Sequence, residues 1–74
     1  MKFFLIWFQS QFRETTDEYY AKATSAMNCE MKFRQWYDNG QEREYGELQS
    51  FSCTEVTPGE YYFREKTNPS AILF

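Results

Sequence analysis

The amino-acid sequence predicts an α+β domain of β-α-β-β order, in which a three-stranded, mostly antiparallel sheet packs against one long amphipathic helix. Three observations carry that expectation. Residues 3–8, Phe-Phe-Leu-Ile-Trp-Phe, form an unbroken apolar run too short for a typical helix. Thr15-Thr16-Asp17-Glu18 has the spacing of a helix-capping box. Beyond Arg43, aromatic residues and Val56 mix with Ser and Thr on either side of a Pro-Gly turn.

The first element covers residues 2–11 and is apolar on both faces, which suits a central strand. Lys2 and the apolar run resemble the start of an export signal. The run is too short, however, and Gln9, Ser10 and Gln11 stand where small cleavage-site residues belong. The helix is expected to start at Thr15, whose hydroxyl can accept from the amide three residues on. Asp17 and Glu18 would then sit at the positive end of the dipole. Tyr19, Tyr20, Ala23, Ala26, Met27, Met31, Phe33 and Tyr37 fall on one side of this helix. Glu30 and Arg34 interrupt that arc at a spacing that lets them pair with each other.

Asn39-Gly40 is expected to stop the helix in a left-handed turn. The same dipeptide could instead close a hairpin of 30–38 with 41–49. That register sets Tyr37 against Glu42 and Phe33 against Gly46, with no clean apolar face, so the long helix is preferred. Strands are expected at 47–56 and 60–66, joined through Thr57-Pro58-Gly59-Glu60. The apolar end, Ala71 to Phe74, should pack on the core, pair at a sheet edge, or join two copies in a homodimer.

Seventy-four residues with 22% aromatic side chains belong to one folded domain, 1–74, rather than a disordered tail. No stretch approaches the roughly 20 apolar residues that span a bilayer. A soluble cytoplasmic protein with reduced Cys29 and Cys53 is therefore expected. Their spacing fits no zinc site, and they read as small core residues.

Histidine is absent, so the commonest general base and metal ligand is missing. No serine, cysteine or lysine lies in a recognisable nucleophile motif, and Glu42, Glu44 and Glu47 sit in a solvated charged segment rather than a paired catalytic arrangement. Neither catalysis nor a cofactor or metal is expected. The net charge of -3 argues against binding a phosphate backbone. The acidity is local: residues 38–60 hold six acidic side chains and one basic.

Sixteen aromatic rings exceed what one small core holds, so some should reach the surface. The favoured reading is a noncatalytic protein-binding module. Trp36, Tyr45, Tyr61 and Tyr62 would anchor it, and Glu42, Glu44, Glu47, Glu55 and Glu60 would steer it to a basic surface on a larger protein. In size and charge the chain is similar to the small inhibitors that phages use against host enzymes and nucleic-acid-handling defence complexes. Two alternatives stand beside this: a single-stranded nucleic-acid binder using Tyr61 and Phe63 on a sheet, and a self-associating subunit.

Overall fold

The computed structural model describes all 74 residues. Its centre is a three-stranded antiparallel sheet with strand order β2-β1-β3. The strands are β1 (Lys2–Ser10), β2 (Asp17–Ala23) and β3 (Leu48–Val56). Helix α1 (Ala26–Trp36) continues through a wide turn, Tyr37–Gln41, into the short α2 (Glu42–Tyr45). After β3 comes α3 (Pro58–Thr67), and a single 3-10 turn, Pro69–Ala71, leads into the C-terminal tail.

β1 is central, as its doubly apolar pattern requires. Phe4, Ile6 and Phe8 enter the main core with Ala21 and Ala23 of β2 and Cys29 and Phe33 of α1. On the opposite face, Phe3 packs 4.9 Å from the ring of Tyr61 in α3. The α+β class, the antiparallel sheet and the long helical segment are as expected, and β1, α1 and β3 keep the β-α-β succession. The remaining strand precedes the helix, and a further helix, α3, follows β3.

Two segments take a different form from the one expected. Residues 17–23 are strand β2 rather than the first turns of a helix. Pairing with β1 aligns Ile6 with Tyr19 and Phe4 with Ala21, so alternate side chains of β2 reach the core. That non-local burial outweighs the local capping signal at Thr15. The helix is capped instead by Ser25, whose Oγ accepts from the Asn28 amide at 3.0 Å, while Asn28 Oδ1 accepts from the Thr24 amide.

Residues 58–67, expected as a strand from 60, are α3. Thr57 is its N-cap, with Oγ1 accepting from the Glu60 amide at 3.2 Å, and Pro58 fills the first turn. Thr-Pro-Gly-Glu serves equally as a β-turn or as a helix start. The sheet face above Phe3 decides it, because a helix there buries Tyr61.

The Asn39-Gly40 break is present: Gly40 has φ 116°. The chain then re-enters helix until Gly46, at φ 78° and ψ -154°, turns it into β3. At the C-terminus the tail folds back on its own chain. Leu73 N–H donates to Tyr20 O at 2.8 Å and Lys22 N–H donates to Phe74 O at 2.9 Å, covering part of the outer edge of β2. Leu73 and Phe74 also pack against the core. Of the roles expected for this segment, packing on the core and pairing at a sheet edge are both realised within one chain.

A candidate docking surface between α1 and the free edge of β3

The start of α1 at Ala26 sets the phase of the whole helix. Cys29, Phe33 and Tyr37 turn inward, and Trp36 packs half-buried at the core margin. Met27 and Met31, expected on the apolar arc, are therefore 71% and 57% exposed. Together with Glu30, Arg34, Gln35 and Phe51 of β3 they line a groove of about 400 Å³. The Arg34 guanidinium lies 5.8 Å above the Phe51 ring. The expected pairing of Glu30 with Arg34 is not formed: the ion pairs are Lys2–Glu55, Arg13–Asp17 and Arg13–Glu44.

The groove runs beside the outer edge of β3. β3 is hydrogen-bonded to β1 alone, and none of its outward backbone groups has a partner in the chain. The edge has no proline and one charged residue, Glu55, so the usual devices that blunt a free edge are sparse here. The contrast with β2 is direct, because the tail pairs with that edge at Tyr20 and Lys22.

Beneath the groove lie the two free cysteines, Cys29 of α1 in the core and Cys53 of β3 packed against it. The neighbouring Cys53 thiol pulls the Cys29 pKa below the ordinary thiol value, against the effect of burial. The Cys29 side chain, reinforced by burial, pushes Cys53 above it. Sequence spacing alone gave no sign of the contact. No three His, Cys, Asp or Glu side chains gather closely enough to hold a metal ion.

The expected anchor residues separate. Tyr45 is 4% and Tyr61 1% exposed, so neither can act as a surface anchor. Tyr45 closes the core end around Phe8, its hydroxyl sharing a 3.0 Å hydrogen bond with that of Tyr19 and its ring lying under the Arg13 guanidinium. Burial first, and then the bond to Tyr19, raises the Tyr45 pKa; burial also raises Tyr37 and Tyr61. Trp36 is half-buried, and Tyr62 alone of the four is well exposed, at 52%. Tyr61 and Phe63 stand on a helix, so the sheet-borne ring pair required by base stacking is not formed.

All five acids are exposed, but in two places. Glu42, Glu44 and Glu47 cluster at the end of the sheet where Gln11 and Phe12 bond to Glu47 and Tyr45. Glu55 pairs with Lys2 at the other end, and Glu60 begins α3.

Comparison with protein-family models, with curated proteins and with solved structures gave no match.

Proposed function

We propose that this protein is a noncatalytic protein-binding module whose docking surface is the α1–β3 groove together with the open edge of β3. One observation carries the reading: two exposed methionines stand beside Phe51 on a strand whose outward backbone groups are unpaired, while the tail covers part of the other sheet edge. Strand addition uses such an edge for affinity and an adjoining apolar pocket for specificity. Methionine is well suited to the pocket, being flexible and polarisable. The absence of histidine supports a surface role over a catalytic one.

A narrower reading makes the protein an inhibitor that covers a basic nucleic-acid-binding or catalytic surface of a larger partner. The exposed cluster of Glu42, Glu44 and Glu47 favours it, since such a cluster speeds association with a basic surface.

Photo-crosslinking from single positions tests both. A photoreactive residue in place of Met31 is expected to give an adduct that excess unlabelled protein competes away, and one at Lys66, on the far helix, to give none. A competed adduct from position 47 as well supports the inhibitor reading. Equal, uncompeted labelling from all three positions contradicts both.

A further inference from the structure

Resting on the docking surface just described, we propose that its occupant is a second copy of this chain. β3 pairs antiparallel with β3 across a two-fold axis through Ser52. The two sheets join into one of six strands, with both α1 helices lying side by side above it.

Register selects this arrangement. With both helices on one side of the joint sheet, facing residues must have the same parity, so the axis passes through a residue. An axis at Ser52 uses all nine residues of β3: Leu48 meets Val56, Gln49 meets Glu55, Ser50 meets Thr54 and Phe51 meets Cys53. An axis at Phe51 sets Glu55 against Glu47 of the other copy, and one at Cys53 sets Phe51 against Glu55. Like charges directly opposite one another, or a carboxylate against a ring, weaken a strand pair.

The helix places its symmetry centre at the same level. Cys53 packs against the core cluster that holds Cys29, and the Phe33 ring lies 4.9 Å from Phe51. α1 therefore runs antiparallel to β3, with Met31 level with Ser52. The axis that brings Ser52 to its mate also brings Met31 to its mate. Around it, Glu30 comes within reach of Arg34 of the second copy, and Arg34 within reach of Glu30. These two charges have no salt-bridge partner inside the chain.

A two-fold interface must be self-complementary, and Glu30 and Arg34 lie on opposite sides of Met31, so antiparallel helices bring unlike charges toward each other. The size is sufficient as well. A standard interface takes about 800 Å² from each partner, roughly a sixth of the 4883 Å² surface of this chain. A nine-residue edge about 30 Å long, backed by a three-turn helix, supplies a strip of that order.

Sedimentation equilibrium of the full chain, with charge reversals, tests the inference. The wild type is expected to move from monomer to dimer as concentration rises. Glu30→Arg and Arg34→Glu should each weaken the dimer by about tenfold or more, and the double reversal should restore it to within about threefold, because like charges facing across an interface are strongly disfavoured. Both positions are exposed, and circular dichroism of each variant checks that the fold persists. A wild type that stays monomeric at every concentration overturns the second-copy inference. So does a dimer indifferent to the single and double reversals. If the chain is monomeric while position 31 still gives a competed adduct to another protein, the docking surface stands with a different occupant. If neither association nor a competed adduct is found, both readings fall.

Discussion

Replacing Phe8 with alanine is expected to remove most of the stability of this fold. Phe8 is fully buried on the central strand. Its ring centroid lies 5.2–6.2 Å from those of Tyr19, Phe33, Trp36, Tyr37 and Tyr45. These five rings come from β2, α1, the wide turn and α2, so a single side chain ties together every element on that face except β3. Phe33 completes the set by stacking on Phe51 of β3. Truncating a buried phenylalanine costs about 3–5 kcal/mol, and rings held by several elements cannot collapse freely into the cavity. Small domains have about 5–15 kcal/mol in total, and this one lies toward the lower end by size. At about 4–8 °C per kcal/mol for a domain of this length, the midpoint of thermal unfolding should fall by roughly 20 °C. A melt followed by far-ultraviolet circular dichroism reads this directly. A loss below about 1 kcal/mol would mean that the aromatic cluster is not the centre of the core.

Gly46→Ala is expected to be the second most damaging change, for a reason in the backbone. Gly46 lies at φ 78° and ψ -154°, a region essentially restricted to glycine. A Cβ there would sit 2.9 Å from Gln11 Cβ and 3.1 Å from Phe12 Cδ1. The surroundings cannot yield easily, because hydrogen bonds hold both strands of the contact. Gln11 and Phe12 donate to Glu47 O and Tyr45 O at 3.0 and 2.9 Å, and the Tyr37 hydroxyl donates to Gly46 O at 2.7 Å. Strain of about 1–3 kcal/mol with the clash added brings the loss to about 2–4 kcal/mol. Gly40→Ala is the matched control. Its φ of 116° is also unfavourable, but nothing lies within 4 Å of the added Cβ. It should cost about 1 kcal/mol less or better. Chemical denaturation of the pair separates backbone strain from crowding, and equal losses would show that the contact with Gln11 and Phe12 is unimportant.

Legibility from sequence followed the range of the interactions. The apolar run of β1 and the helical pattern after Ala26 are local and were readable, as was the break at Gly40. β2 was not, because Thr15 to Glu18 satisfies a capping pattern that only pairing with β1 overrides. α3 was hidden by the double meaning of Thr57-Pro58-Gly59-Glu60. The candidate site inherited both difficulties. Surplus aromatics correctly suggested that some rings stay exposed, but which ones depended on helix phase and on the type of the last element. Tyr45 and Tyr61 went inside, while Tyr62, Phe63, Met27 and Met31 came out. A helix starting at the Ser25 cap turns Cys29, Phe33 and Tyr37 inward and leaves the two methionines outside that stripe. The free edge of β3 depends on strand order and on where the tail pairs, neither of which has a local signature.

Amide hydrogen exchange across residues 48–56, measured on the full chain at low and high concentration, reads the edge itself. If β3 is the docking edge and a second copy fills it, alternate amides of β3 should slow by about tenfold or more on concentration as they gain hydrogen-bonded partners. The amides of β2, on the far edge of the sheet, gain no partner in the dimer and should keep their rates. β3 amides that exchange at the same rate at both concentrations, with no change confined to that strand, would contradict the assignment.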